Sequence, residues 1–158
     1  MTRRFVFLAI LLAVALAVPS FVQAQAKPDF SGKWIQDIEK SDPAPAGRGG
    51  GAAPAARPPQ EITITQTATE IKIERVTGQG TTATVYKLDG SESTNAGGRG
   101  GDVKSKTVWD GNKLVTKYQR TMGENTVDVT ETRSLADGLL TVETKSGENT
   151  RKVVFKKG

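Results

Sequence analysis

The side chains that could do chemistry in this chain are charged or aromatic, because the sequence contains no cysteine and no histidine. Thiolate nucleophiles, histidine-based general bases and Cys/His metal sites are therefore excluded. The most informative spacing is that of Glu131 and Arg133, two residues apart, which puts both side chains on one face if the segment is a β-strand. In a partly apolar interior the two charges of such a pair neutralise each other, or the arginine binds an anionic ligand.

Both interpretations of this pair stay open at the level of sequence. In the first, Glu131 neutralises Arg133, and Tyr118 and Thr116 complete the hydrogen bonds. In the second, Arg133 anchors the head group of an anionic ligand and the ligand's tail lies against aliphatic residues. The aliphatic residues expected around such a tail are Leu114, Val129, Val142 and Val153.

Catalysis is not expected. From residue 103 onward, Glu131 is the only carboxylate that the alternation of apolar and polar residues places inward, so an acid/base pair has no partner. Asp89, Asp110 and Asp137 each precede a glycine and are explained by turn geometry. No glycine-rich phosphate loop is present. We therefore predict a protein that is not an enzyme, with no catalytic residues, no metal and no cofactor.

The elements that must position these side chains are β-strands. Helical periodicity is missing, and short alternating segments are separated by Asp-Gly and Gly-Glu-Asn turn signals. Nine strands are predicted, near 30–36, 61–67, 70–77, 81–88, 103–109, 113–121, 125–134, 139–145 and 150–157. Charged residues on an inward face conflict with a dry core. The fold class is therefore all-β, a single antiparallel up-and-down barrel of about eight to ten strands around a wet cavity.

Turn positions fix which residues face each other across neighbouring strands. Two-residue turns at 110–111, 123–124, 137–138 and 147–148 keep one common face inward through the last five predicted strands. The expected cross-strand pairs are Thr107 with Leu114, Tyr118 with Val129, Arg133 with Val142, and Leu140 with Phe155.

The directions of the nine strands also assign residues to the two ends of the barrel. Phe30, Arg120 and Arg151 are expected at one end. Arg75, Trp109 and the Leu135/Leu140 pair are expected at the other end, which also receives the long loop after residue 36 and is the better candidate for an entrance. The candidate ligand-binding residues are Arg133, Glu131, Tyr118, Thr116, Trp109 and Arg75.

Outside the barrel, residues 1–24 are typical of a secretory signal, in which Arg3 and Arg4 precede an apolar run that ends before small residues. Residues 25–158 then form one exported domain, periplasmic or extracellular, with no membrane segment after cleavage and a monomeric state. The Gly/Pro/Ala-rich segment 42–59 and the Gly-rich segment 95–101 are predicted to be loops, the first disordered. The net charge of +5 includes two signal arginines and is too mild to indicate a nucleic-acid partner.

The segment from Asp29 to Trp34, Asp-Phe-Ser-Gly-Lys-Trp, resembles the start of calycin barrels: the Gly-x-Trp motif of lipocalins and the Phe-x-Gly-x-Trp motif of fatty-acid-binding proteins. The chain as a whole resembles small exported bacterial lipocalin-like proteins. Gly32 and Trp34 carry the motif, and the resemblance implies that an arginine, Arg151 or Arg120, packs across Trp34.

The chain departs from the fatty-acid-binding pattern at two places. A Gly/Pro/Ala loop replaces the short helical pair after the first strand, and Val153-Val154-Phe155 replaces the Arg-x-Tyr clamp near the end. The resemblance implies a carrier that binds a small hydrophobic or amphiphilic, anionic ligand in its interior. The alternative is a non-catalytic cell-envelope structural or interaction protein whose barrel is plugged by side chains and binds no ligand.

Overall fold

The computed structural model describes residues 26–43, 58–78, 80–97, 101–122 and 125–158. The predicted signal and most of the predicted loop 42–59 lie outside these ranges. The described residues form ten β-strands and no helix. The strands are β1 (Gly32–Asp37), β2 (Glu61–Gln66), β3 (Glu70–Thr77), β4 (Gly80–Lys87), β5 (Glu92–Ala96), β6 (Asp102–Asp110), β7 (Lys113–Met122), β8 (Asn125–Ala136), β9 (Leu139–Ser146) and β10 (Asn149–Lys157).

The ten strands make one antiparallel sheet that curls into a nearly closed up-and-down barrel. The sheet order is β4-β3-β2-β1-β10-β9-β8-β7-β6-β5. The first strand therefore pairs with the last one, and Gln36 on β1 lies opposite Phe155 on β10. The all-β, single-barrel fold class predicted from the sequence is confirmed.

Side chains, not a backbone ladder, hold together the two sheet edges, β4 and β5. The Asn95 amide accepts a hydrogen bond from the Val85 backbone N–H at 2.8 Å and donates one to the Val85 carbonyl at 2.9 Å. Ser93 Oγ accepts a third bond, from the Lys87 N–H at 2.9 Å. We call these three hydrogen bonds the β4–β5 seam.

The strand β5 was not among the nine predicted strands. Its sequence, Glu-Ser-Thr-Asn-Ala, has no alternation of apolar and polar residues because its inward side chains, Ser93 and Asn95, are themselves polar. Antiparallel pairing with β6 holds the strand, with Ser93 opposite Ser105. Asn95 and Ala96, the first two residues of the predicted loop 95–101, therefore belong to a strand, and residues 98–100 lie outside the described ranges.

One additional strand reverses the direction of every later strand relative to β1, so part of the predicted assignment of ends was wrong. Trp109 and the Leu135/Leu140 pair lie at the same end as Phe30, where β1 begins. Arg120 and Arg151 lie at the opposite end, together with Arg75. We call the end that contains Phe30 the base and the end that contains Arg75 the mouth.

Three of the four predicted hairpin registers are confirmed. Tyr118 lies opposite Val129, Arg133 opposite Val142, and Leu140 opposite Phe155. The fourth was wrong by two residues, because the turn after β6 is Gly111-Asn112 and Thr107 lies opposite Thr116. Gly111 adopts φ +58°, as a glycine at the first position of a type II′ turn does. A shift of two residues keeps the same side chains inward.

The base is filled by apolar side chains. Trp34 is fully buried, its indole N–H donates to the Phe30 carbonyl at 2.8 Å, and Phe30 stacks on Trp109 with 5.9 Å between ring centroids. Gln66 fixes the segment before β1, because it accepts from the Phe30 N–H and donates to the Pro28 carbonyl. The other fully buried aliphatic side chains of this cluster are Ile64, Ile71, Leu114 and Leu140.

The predicted packing of Arg151 or Arg120 on Trp34 was wrong, since both arginines lie at the mouth. The cation over the Trp34 ring is Lys157, whose Nζ lies 4.2 Å from the ring centroid. Gly32 makes room for it: its φ is +125°, and a Cβ there would lie 2.5 Å from Lys157 Nζ. The glycine of the Gly-x-Trp motif thus permits the backbone conformation, and a side chain in its place would displace the flexible end of Lys157.

Candidate functional site

A cavity of about 560 Å³ opens at the mouth of the barrel. Its volume falls within the roughly 300–1,000 Å³ that small-molecule sites usually occupy. One part of its wall is apolar and consists of Ile62, Ile73, Val142, Val153 and Phe155. The polar part includes four arginines and one carboxylate, namely Arg75, Arg120, Arg133, Arg151 and Glu131.

The apolar and polar parts of the wall form successive layers. On β3, Ile73 is followed towards the mouth by Arg75, two residues on and hence on the same face. On β9, Thr144 lies one inward position closer to the mouth than Val142, and on β10 Arg151 lies closer than Val153. Along these three strands the cavity wall is therefore apolar towards the base and polar towards the mouth, whereas Arg133 on β8 lies level with Val142 and Ile62 on β2 lies level with Arg75.

Glu131 and Arg133 form an ion pair in the wall of this cavity. Arg133 Nη2 donates to Glu131 Oε2, and the side chains are 6% and 18% exposed. Arg133 Nη1 donates to Thr116 Oγ1 at 3.2 Å, and the Tyr118 hydroxyl donates to Glu131 Oε1 at 3.0 Å. The contacts predicted for these four side chains in the first interpretation of the pair are confirmed.

Further contacts hold this polar cluster in place. The Arg133 guanidinium lies over the Tyr86 ring, with Cζ 5.4 Å from the ring centroid. Behind Arg133, the hydroxyls of Thr116 and Thr107 are 2.9 Å apart and share a hydrogen bond. Glu131, Thr116 and Tyr86 therefore all contact the Arg133 guanidinium, which is consistent with the burial of its charge.

The electrostatics of the cluster keep its carboxyl ionised. Burial by itself raises the pKa of Glu131, but the charge of Arg133, the hydrogen bonds from Tyr118 and Arg133, and the charge of Arg75 together lower that pKa below its ordinary value. Burial, followed by the negative charge of Glu131, raises the pKa of the Tyr118 hydroxyl. At neutral pH the cluster thus contains an anionic Glu131 and a protonated Tyr118.

The three arginines at the mouth have different surroundings. Arg75, Arg120 and Arg151 form no ion pair with any described residue. Arg75 and Arg120 are exposed, and Arg120 Nη2 donates to the Tyr118 hydroxyl at 3.4 Å. Arg151 is half-buried, and its Nε is a buried donor without a hydrogen-bond partner among the described residues. Among the described residues, no carboxylate forms an ion pair with any of these three arginines, although the charge of Arg75 acts on Glu131.

The structure brings together five of the six predicted ligand-binding residues. Arg75, Glu131 and Arg133 line the cavity, while Tyr118 and Thr116 support the last two from behind. Trp109 is not part of this site, because it stacks on Phe30 at the base. Of the predicted tail contacts, Val142 and Val153 line the cavity, whereas Leu114 is packed in the base.

Sequence reasoning missed Ile62 and Ile73 as cavity wall and placed Arg120 and Arg151 at the wrong end. The alternation of apolar and polar residues in β2 and β3 contains the signal for the isoleucines, but no turn signal fixes the register of these strands as it does for the later ones. Within the described part of the chain, no three acidic side chains come together as metal ligands, and no helix is long and apolar enough to cross a membrane.

Comparison with known proteins supports the fold. No family model matches the chain, and no curated protein matches it. Solved structures do resemble it. One, described as the REP1-NXSQ fatty acid transporter, superposes with a TM-score of 0.57 at 16% identity, covering 81% of this chain and 95% of that one. A tyrosine-to-phenylalanine mutant of the same transporter gives a TM-score of 0.57 at 17% identity, covering 81% and 97%. At these identities the similarity establishes a shared barrel fold.

Proposed function

We propose that this protein is a non-catalytic carrier that binds a small amphiphilic anion inside its barrel. The tail lies against the apolar layer of the cavity and the anionic group lies at the mouth. The observation that carries the proposal is the composition of the cavity wall: four arginines face one carboxylate, and that carboxylate is already paired with Arg133.

The position of the anionic group follows from the hydrogen bonds of the arginines. Glu131, Thr116 and Tyr86 already contact Arg133, so a ligand anion would have to displace existing partners there. Arg75, Arg120 and Arg151 have no such ion partner among the described residues. The head group is therefore expected to bind these three arginines rather than Arg133.

The named relatives in structure are fatty acid transporters, which agrees with an anionic amphiphile as ligand. The lipocalin-like resemblance of the Asp29–Trp34 motif is part of the same proposal, since calycin barrels bind ligands in their interiors. The plugged-barrel alternative needs an interior without room for a ligand, and the cavity of about 560 Å³ argues against it.

The experiment is a fluorescence titration with a dansyl-labelled fatty acid, followed by displacement with decanoate and with decanol. We expect saturable binding and displacement by decanoate at lower concentration than by decanol. Arg151→Gln is expected to lower the affinity for decanoate about tenfold, the usual contribution of one charge-assisted hydrogen bond. The matched control is Lys152→Gln, next in the chain but exposed. Absence of saturable binding would support the plugged barrel instead.

Export is a separate part of the proposal. Cleavage after Ala24 or Ala26 gives a mature protein that begins at Gln25 or Lys27. N-terminal sequencing of protein recovered from the envelope or medium of its own host tests this. A folded product that keeps Met1 and stays with the membrane would contradict it.

A further inference from the structure

We propose that the head group is a doubly charged phosphate monoester on a single alkyl chain, held by Arg75, Arg120 and Arg151 at the mouth. This inference rests on the proposed function and adds the chemical class of the ligand. It starts from the three guanidiniums that border one opening without an ion pair among the described residues.

The number of arginines without an ion pair among the described residues favours a dianion over a monoanion. Glu131 is hydrogen-bonded to Arg133 and Tyr118 and acts on Arg75 only through its charge, so it offsets part of the positive charge at the mouth and leaves most of it. A carboxylate head group would neutralise one of the three remaining arginines, whereas a phosphate monoester has nearly two charges at neutral pH. Guanidinium groups also present paired N–H donors that fit two phosphate oxygens at once.

Arg151 provides a second and independent observation. Its Nε–H is buried and has no acceptor among the described residues, although buried donors in folded proteins nearly always have one. Because Arg151 lines the cavity one inward position closer to the mouth than Val153, a rotation of its side chain that exposes Nε–H to the cavity would let an oxygen of a bound ligand accept this hydrogen bond. The orphaned donor therefore marks where the head group would bind.

The rest of the mouth supplies neutral partners for additional oxygens. The polar residues that line it besides the arginines and the carboxylate of Glu131 have hydroxyl or amide side chains: Gln60, Thr144, Ser146, Asn149 and Thr150. A phosphate monoester has three acceptor oxygens beyond its ester linkage, and a carboxylate has two. A mouth rich in donors thus fits the group with more acceptors.

The pH dependence of binding separates the two head groups because the protein side of the site does not titrate near pH 6. Among the described residues, the charged and titratable groups that face it are arginines, Glu131 and Tyr118. Glu131 stays ionised and Tyr118 protonated in that range, and the chain has no histidine. The second ionisation of a phosphate monoester, by contrast, has a pKa of about 6.

The test is isothermal titration of the full protein with decyl phosphate, with its monomethyl ester as a singly charged control, and with decanoate. Above the second phosphate pKa, we expect decyl phosphate to bind about tenfold more tightly than either control. Below that pKa, the advantage of decyl phosphate disappears while the affinity of the methyl ester is unchanged. Arg151→Gln and the exposed Arg75→Gln each remove most of the advantage, and Lys152→Gln keeps it.

Three results would overturn the inference. Equal affinities for all three ligands, or an advantage independent of pH, would refute the dianion and leave the carrier proposal intact. An advantage that survives in both arginine variants would place the head group elsewhere. Failure of all three ligands to bind would refute the carrier proposal itself. Because Arg75 is exposed, its variant is expected to fold even if Arg151→Gln does not.

Discussion

Arg133 and Glu131 lie two residues apart on β8 and form an ion pair inside the barrel, with the Thr116 and Tyr118 hydroxyls hydrogen-bonded to either end. This relationship decides how the cavity is interpreted. An arginine whose N–H donors already have partners in the fold is a poor anchor for a ligand. The arginines that form no ion pair with a described residue, Arg75, Arg120 and Arg151, lie nearer the mouth of the cavity.

Removal of Arg133 is expected to destabilise the fold. Arg133→Met leaves the Glu131 carboxylate in the barrel wall without its main counter-charge, and we expect a loss of about 3–5 kcal/mol in the free energy of unfolding. The double variant Glu131→Gln with Arg133→Met removes both charges and is expected to recover part of that loss. Urea unfolding measures the free energy of unfolding of wild type, of Arg133→Met and of the double variant. Equal stability of wild type and Arg133→Met would contradict the structural role of the pair.

The lowered pKa of Glu131 predicts a dependence of stability on pH. A carboxyl whose pKa is lower in the folded than in the unfolded chain stabilises the fold above the unfolded pKa, about 4.3 for glutamate, and this contribution is lost as pH falls through the folded pKa. The stability difference between wild type and Glu131→Gln is therefore expected to be constant near neutral pH and to shrink below about pH 4. A stability difference that grows on acidification would show that burial, which raises the pKa of Glu131, outweighs the charges and hydrogen bonds that lower it.

At the base, Lys157 is expected to stabilise the fold through Trp34. Its ammonium lies over the indole ring and donates to the Ser31 carbonyl. We expect Lys157→Ala to lower the free energy of unfolding by about 0.5–2 kcal/mol, the range for such cation–π contacts. Lys156→Ala, on the exposed side of the same strand, is the control. Equal unfolding midpoints for Lys157→Ala and Lys156→Ala would show that Lys157 does not stabilise the fold through Trp34.

The β4–β5 seam is expected to be the first part of the barrel to open. Asn95→Ala removes two of its three hydrogen bonds, both to the Val85 backbone. In this variant, amide hydrogen exchange at Val85 is therefore expected to be faster than in wild type, while exchange in β7 and β8, which pair with each other from Leu114 to Met122, stays unchanged. Asn112→Ala, in the turn after β6, is the control. Unchanged protection at Val85 would mean that something other than Asn95 closes the seam.

The part of the fold predicted best from the sequence was β7 to β10, because glycine-containing turns fix the register and a register error would have moved Arg133 and Val142 to opposite faces. β5 could not be found in this way. Ser93 and Asn95 face inward without apolar alternation, and the strand depends on pairing with β6 that only the folded chain supplies.

Which residues lie at which end of the barrel depends on whether the number of strands is odd or even. Nine strands place Arg151 beside Phe30, and ten place it beside Arg75. The candidate residues themselves were mostly recognisable, because charged side chains at inward positions of a barrel are conspicuous. Which of these residues lie together at one end was not recognisable, since one missed polar strand reverses the direction of every later strand relative to β1.

The central claim is that a ligand lies inside the barrel with its anionic group at the mouth. The most direct measurement is NMR of isotope-labelled protein with decanoate, which follows the Arg151 Nε–H signal and contacts between the alkyl chain and methyl groups. The account predicts a saturable shift of Arg151 Nε–H together with contacts to Ile62, Ile73 and Val153. Contacts confined to exposed valines such as Val85 and Val108, or no saturable shift at Arg151, would contradict it.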